Sequence, residues 1–410
     1  MEIKPILSTL LRNKTGPLLV ALQVALSLAI LANALHVVSE RRAVAARPLG
    51  LQDEAATFHI VARSLKTDVP EQQLADIRRE IALLRAVPGV AAASQVSQMP
   101  ASNSGTSNTV SLDRRQQAES AHVSVYLTDD AALETFGLKL VEGRNFLPHE
   151  VADVDMSRNN TPPPIAIISQ RLAEKLWPGA SAVGKLFYFG GGPQGIEMQV
   201  IGVVERLQSA HAQVGEAGEL SALLAVRQYG VPGIRYAVRA EPGQRDRVMR
   251  QAEEALRKSS GTPLILQATT VEDDRKNRYR ADISLSWMLV TVSALLLLIT
   301  CSGIVGMASL WVTQRRKQIG VRRALGARRI DILRYFIVEN VLITSAGVFG
   351  GVLLGVGLNQ LLVSRLEMTR LPLTYLIGGA ILFWAIGILA AYGPAWRAAS
   401  ISPALATRST

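Results

Sequence analysis

From Ile283 to Gln314 the chain runs 32 residues without a charged side chain, and the stretch that follows is strongly basic. An uncharged run of that length is read as a membrane-spanning helix. At 1.5 Å per residue it measures about 48 Å against roughly 30 Å of hydrocarbon, so part of it is expected to protrude as a stalk. Three more uncharged runs fit the same reading: Gly16 to Val38, about Asn340 to Val363, and about Leu371 to Trp396. Between the second and third lies a loop, residues 315–339. It carries Arg315, Arg316, Lys317, Arg322, Arg323, Arg328, Arg329 and Arg334 against only Asp331 and Glu339. Lys and Arg are retained on the cytoplasmic side of short loops, which places this loop and both termini inside. Residues 39–282 are then outside.

The net charge of +11 follows the same topology. Residues 39–282 hold 29 Lys+Arg and 29 Asp+Glu, and the remaining 15 basic and 4 acidic residues, at the membrane-associated ends, supply the whole excess. A nucleic-acid binder would carry that charge on a folded face with readout residues, so no nucleic-acid partner is expected. The first apolar run has a signal peptide as its rival, because Ala43-Val44-Ala45 mimics a cleavage site. Its length exceeds the usual ~7–15 residues, however, and Glu40, Arg41 and Arg42 precede that site, so a retained anchor is expected. Gln23, Asn33 and His36 within it are expected to face other helices or headgroups. The lone Cys301 lies mid-span as a small apolar filler.

The outer segment contains an echo of pattern. Its first copy is a strand at Thr57–Ala62, a helix from about Glu71 to Val87 with Leu74, Ile77, Ile81 and Leu84 on one stripe, and a strand near Val90–Val96. The second is a strand with Ile234, Tyr236 and Val238 inward, a helix around Gln244–Lys258, and a strand at Leu264–Thr269. Two β-α-β units flanking an insertion imply one α/β subdomain assembled from both ends of the segment. The insertion, about residues 102–220, is expected to be mostly β. It opens on a Ser/Asn/Gly-rich exposed loop, Ala101–Thr109, and breaks at Thr161-Pro162-Pro163-Pro164. Strands near Ile165–Ile168, Leu186–Phe189 and Met198–Val204 follow, with a helix at Gln170–Leu176 and a hairpin turn at Gly190-Gly191-Gly192-Pro193. The fold class expected is four transmembrane helices with a large α+β extracytoplasmic domain of two subdomains.

Little in the chain does chemistry. Gly179 to Lys185 fits seven positions of a phosphate-binding loop, but Leu186 stands where Ser or Thr must hold magnesium, and LFYF reads as a strand. A turn before a strand explains it. The five histidines are scattered without metal-ligand spacing. No charged residue lies within a predicted span, which argues against a carrier driven by intramembrane carboxylates. Work must therefore enter from elsewhere, which directs attention to the basic loop. Ile319, Val321, Ala324 and Leu325 interleave with its charges as in a short amphipathic helix, and Gly320 and Gly326 permit close approach or a bend. A cytoplasmic partner that docks and pushes is one reading. An anchor on anionic membrane lipid is the other. Gly347, Gly351 and Gly355, at four-residue spacing, are expected to let the third span pack closely on a neighbour.

The order of one span, a large outer domain and three spans resembles the permeases of type VII ABC transporters, the MacB/FtsX-like group. The stretch RRKQIGVRRALGARRIDILRYFIVENVL, Arg315 to Leu342, is similar to that family's cytoplasmic pattern. LAEKLWPGASAVGKLFYFGGGPQGIEMQVIGVV, Leu172 to Val204, is similar to the MacB-type periplasmic core. The resemblance implies a bacterial inner-membrane permease that is not itself an enzyme, with porter-like and inserted "sabre" subdomains. MacB carries a fused nucleotide-binding domain at its N-terminus. About fifteen residues precede the first span here, so ATP and magnesium are expected on a separate cytoplasmic ATPase dimer. It also implies a second permease, the same or different, and mechanotransmission through stalk helices. Ile319, Gly320, Val321, Arg322, Arg323, Ala324, Leu325, Gly326 and Ala327 would form the coupling region. Arg322 and Arg323 would meet an acidic cleft, and Ile319, Val321 and Leu325 would pack into it. Gln318 departs from the pattern, since the family usually has an acid there; weaker coupling, or pairing with a different permease that keeps the acid, is the expectation this raises. Export with a periplasmic adaptor and outer-membrane channel leads the functional readings. Activation of a cell-wall hydrolase and lipoprotein extraction are the alternatives.

Overall fold

The computed structural model describes residues 10, 14–65, 69–116, 118–158, 161–190, 194–213, 215–366 and 370–400. The expected turn residues Gly191, Gly192 and Pro193, most of both termini, and part of the loop between the last two spans lie outside the described residues. The chain divides into a helical unit, Met1–Arg42 with Asp282–Thr410, and a mixed unit, Ala43–Ala281.

In chain order, helix α1 is Thr15–Ala45, followed by β1 (Thr57–Ser64), α2 (Pro70–Ala86) and β2 (Val90–Gln95). Then come β3 (Ser107–Ser111), β4 (Ala121–Thr128), α3 (Ala132–Phe136), β5 (Leu140–Gly143), β6 (Ala152–Asp155) and β7 (Ile165–Ser169). α4 (Gln170–Leu176), β8 (Leu186–Phe189), β9 (Ile196–Val204) and β10 (Ser221–Tyr229) follow. β11 (Ile234–Ala240), α5 (Arg245–Ser259) and β12 (Leu264–Thr270) lead into four helices: α6 (Val271–Gln314), α7 (Arg316–Ala324), α8 (Arg329–Leu366) and α9 (Leu373–Ala399).

The two β-α-β units of the mixed unit interleave into one antiparallel sheet, ordered β12-β1-β11-β2. One face of the sheet packs on both helices. Ile77, Ile81 and Leu84 of α2 and Val248, Ala252 and Leu256 of α5 bury against Phe58, Ile60, Tyr236 and Val238. The insertion is a second sheet, β4-β3-β8-β9-β7-β10, in which β10 also pairs with β4 in parallel. Those six strands form a closed ring, so none of them is left with a free edge to pair with another chain. Val123, Phe187, Met198, Val200, Ala222 and Leu224 fill its core. The two sheets are joined by polar contacts: Ser94 Oγ donates to the buried Asp129 Oδ1 at 2.6 Å, and Gln95 Nε2 to the Gln228 carbonyl at 2.6 Å.

Two boundaries differ from the sequence reading. The insertion ends with β10 at Tyr229 rather than at Leu220, because SALLAVRQY is a central strand buried on both faces and shows no alternation. The loop expected at Ala101–Thr109 gives way to β3 from Ser107, and Ala101 itself is fully buried.

In the helical unit all four long helices are apolar and long enough to cross a membrane. α6 is longer than the run that announced it. The charged residues before Ile283 are helical too, held at the start by Thr270, whose Oγ1 accepts from the Asp273 amide at 3.0 Å and donates to Asp273 Oδ2 at 2.7 Å. Its 44 residues span about 66 Å. α9 runs on through Pro394 to Ala399, past the expected end at Trp396. α8 begins at Arg329, so the last part of the basic loop and the third span are one helix, and Glu339 lies inside that helix.

Helix α1 is the hub of this unit. Gly347 and Gly351 of α8 face it so closely that a Cβ on Gly347 would sit 2.7 Å from the Ala21 carbonyl oxygen, and one on Gly351 3.0 Å from that of Ala25. At Gly355 the neighbours are Leu376 of α9 and Ala29 of α1, at 3.2 and 3.5 Å. Small residues at this spacing allow backbones to meet, and dispersion then holds helices that no hydrophobic effect drives together in lipid. Polar residues of α1 are used the same way. Asn33 Nδ2 donates to the Gly355 carbonyl at 3.1 Å, Ser27 meets Thr300 of α6 at 2.9 Å, and His36 lies against the Tyr375 ring of α9.

Candidate functional site

The basic loop folds into α7, set between two local stop signals. At its front, Arg315 belongs to neither α6 nor α7 and marks the break between them. At its end, the Gly326 amide bonds the Arg323 carbonyl at 3.2 Å and the Ala327 amide bonds that of Arg322 at 3.1 Å. This paired closure needs a left-handed residue, and Gly326 supplies it with φ +98°. Two residues on, α8 opens with Asp331 Oδ2 accepting from the Arg328 amide at 3.0 Å, a carboxylate suited to the positive end of a helix.

The nine residues expected to couple to a partner separate by face. Ile319, 4% exposed, and Gly320 point inward, where Ile319 packs with Ile332 and Phe336 of α8 and Ala395, Ala398 and Ala399 of α9. Ile319 is thus committed to this chain's own core, where the resemblance had implied that it packs into a partner's cleft. Apolar spacing shows that two faces differ but not which one is covered. Arg323 is also held internally, with Nη1 donating to the Ala399 carbonyl at 2.5 Å. Val321 and Leu325 point outward, at 52% and 83% exposed. Arg322, its guanidinium 5.2 Å above the Tyr335 ring, is exposed with them, as are Ala324 and Gly326, while Ala327 is half-buried.

The outward surface is cationic with apolar points. Arg316, Lys317, Arg322, Arg328, Arg329 and Arg334 are exposed against Asp331, and Gln318 shares the exposed face. Beside it is an apolar slot of about 240 Å³ lined by Arg329, Ile330, Leu333, Trp396, Ala399 and Ser400. No local pattern marks this slot, since it forms only where the first turn of α8 meets the last turn of α9. A second feature joins residues far apart in the chain. Glu339, 1% exposed, accepts from Arg315 Nη1 with both oxygens, at 2.9 and 2.8 Å, and Arg315 lies 5.9 Å from the Trp311 ring. A lone carboxylate at the edge of an apolar run, facing a loop of arginines, was the available clue.

Other candidates resolve into structure. Gly179 and Gly184 have positive φ and open surroundings, the Gly184 amide is spent on the Val200 carbonyl, and Lys185 lies 5.5 Å from the Trp177 ring. That is a turn feeding β8, with no helix N-terminus after it to receive phosphate. Among the described residues no three His, Cys, Asp or Glu side chains converge on a metal position. His59 is buried in the core with Nε2 3.1 Å from Asp274 Oδ2, and desolvation and then the Arg235 charge lower its pKa to about 3.

The FtsX-like permease C-terminal family matches residues 290–403, and the MacB-like periplasmic core domain family matches residues 23–255. The macrolide export ATP-binding/permease protein MacB of Bradyrhizobium diazoefficiens is 37% identical over 137 residues, 33% of this chain and 21% of that protein. The uncharacterized ABC transporter permease YknZ of Bacillus subtilis is 24% identical over 306 residues, 74% of each chain. The pyoverdine export ATP-binding/permease protein PvdT of Pseudomonas aeruginosa is 24% identical over 257 residues, 60% of this chain and 37% of that protein. This chain therefore spans about a fifth of the MacB relative's length and about three quarters of YknZ's. Among solved structures, the extracellular domain of YknZ aligns at 19% identity and TM-score 0.33, over 52% of this chain and 99% of that domain. The periplasmic region of MacB from Actinobacillus actinomycetemcomitans aligns at 13% identity and TM-score 0.34, over 56% of this chain and 94% of that region. With the core-domain family covering more than half of its length and the permease family covering most of its last three long helices, this multi-pass membrane protein belongs to the MacB/FtsX-like permeases of ABC transporters.

Proposed function

We propose that this chain is the transmembrane subunit of an ABC-type export machine in the bacterial inner membrane, powered by a separate ATPase that docks on the outward face of α7. The observation that carries this reading is the division of α7 itself. Ile319 and Arg323 hold it against α8 and α9, while Val321, Arg322 and Leu325 are left outside. An exposed apolar pair ringed by arginines fits a cleft with an apolar floor and acidic walls. ATP and magnesium stay on the partner dimer. A second permease, the same chain or one that keeps an acid at the position of Gln318, takes the other half of that dimer. Closure of the dimer displaces α7, and α6, continuous from β12 through the membrane run, passes the displacement to the mixed unit, which faces the periplasm. Export of periplasmic substrates through an adaptor and an outer-membrane channel is favoured because MacB and PvdT relatives are named for export of macrolides and pyoverdine.

The test is co-purification from cells expressing the full chain with its ATPase. Burying a Leu or Val is worth about 1.5–3 kcal/mol, so Val321→Asp with Leu325→Asp should weaken capture by at least about ten-fold. The variant should remain monodisperse, because both side chains are exposed and neither belongs to the buried core. Undiminished capture contradicts the proposal.

A further inference from the structure

A push on α7 does work only if α7 does not simply fold about its own joint. Arg315, between the last residue of α6 and the first of α7, sits at such a joint, with φ −99° and ψ 12°. Breaks of this kind are where helices hinge. Directly at this one a buried ion pair is placed. Arg315 Nη1 reaches both oxygens of Glu339, at 2.9 and 2.8 Å, and the exposures of the two side chains are 17% and 1%. Glu339 stands ten residues, about three turns, into α8, so the pair ties the break to the body of another helix. The Trp311 ring, one turn before, lies against the guanidinium, and Ile332 and Phe336 of α8 close over Ile319 on the far side.

We infer that the Arg315–Glu339 pair is a positioning joint that locks α7 to α8, so that displacement of α7 is carried into α6 and α8 instead of being lost at the break. A buried pair contributes little net stability compared with well-packed apolar residues of the same size, so its presence calls for another reason. What an ion pair adds is direction. In a low-dielectric site the carboxylate has to find its cation, and the orientation of the joint in this structure brings Arg315 to it. Arg323, bonded to the Ala399 carbonyl, fixes the opposite end of α7 to α9. The role in force transfer rests on the docking reading above, but the joint itself does not.

The experiment uses the full-length protein in lipid nanodiscs with Cys301→Ser and spin labels at Lys317→Cys on α7 and Gln360→Cys on α8, both exposed positions. The interlabel distance distribution should be single and narrow. Glu339→Gln should broaden it to at least about twice its width, as local opening does. Arg315→Met with Glu339→Leu restores packing without the charges, and should be as stable as the parent and still broad. The exchanged pair, Arg315→Glu with Glu339→Arg, should return most of the narrowness. An unchanged width in Glu339→Gln or in the apolar pair, or an exchanged pair as broad as the single variant, overturns the inference. Co-expressed ATPase separates the two readings. Glu339→Gln should keep capture and lose stimulation of hydrolysis, whereas absence of capture by the unmodified chain would remove the docking reading and leave the distances to decide the joint.

Discussion

Gly347 has no room for a methyl group. A Cβ there would lie 2.7 Å from both the Ala21 carbonyl oxygen and the Val24 Cβ, atoms fixed in α1, so Gly347→Ala must push two helices apart. A loss of about 1–3 kcal/mol is expected, seen as a lower unfolding midpoint of the full chain in detergent. Gly357 on the same helix has nothing within 4 Å of its Cβ position, and Gly357→Ala should be neutral or gain up to about 1 kcal/mol. Equal effects at the two positions would contradict the packing described. In the mixed unit, Arg144 donates to both Glu150 oxygens, at 2.7 and 2.6 Å, and together with the Leu147 amide holds that carboxyl down at about 2. An acid lowered in the fold binds fewer protons than in the unfolded chain, so its contribution is complete above the ordinary value of 4.5 and is lost as pH falls toward 2. Arg144 is half-exposed, so screening keeps the effect to about 1 kcal/mol at most. Glu150→Gln should flatten the acid limb of the stability–pH curve over that window and leave the neutral limb unchanged in slope.

Among elements, those with a strong local pattern were legible. The stripe at Ile77, Ile81 and Leu84 announced α2, and LFYF before a glycine run announced β8. β10 was not legible, because every residue from Ser221 to Val226 is buried and no alternation survives where both faces are covered. The candidate site was half legible. Its charge and spacing marked α7, yet which face turns inward depends on Phe336 and Ala395, distant in sequence. The Arg315–Glu339 pairing, 24 residues apart, was equally out of reach of spacing. One local feature of α7 can be tested by itself. Gly326→Ala puts a side chain at φ +98°, which costs about 1–2 kcal/mol. Amide exchange over Leu325–Arg328 should then quicken by about five-fold or more while exchange in β1 and β11 stays the same. No change at Leu325–Arg328 would mean that the glycine closure does not hold the end of α7.

For the whole molecule, the charge bias of its loops predicts that α7 and the mixed unit lie on opposite sides of the membrane. In a Cys301→Ser background, a membrane-impermeant maleimide should label Asp113→Cys, exposed in the mixed unit, in spheroplasts of intact inner membrane. Leu325→Cys should be labelled only after the membrane is opened. Early labelling of Leu325→Cys would reverse the topology and with it the site of docking. The central claim is that hydrolysis elsewhere is felt through the outward face of α7, and the most direct measurement is the rate of ATP hydrolysis by the ATPase reconstituted with this chain in lipid. The unmodified chain should raise that rate, and Arg322→Glu with Leu325→Asp should remove at least about nine-tenths of the increase, since the loss of two interface anchors exceeds 1.4 kcal/mol. The same stimulation with and without those two side chains would contradict it.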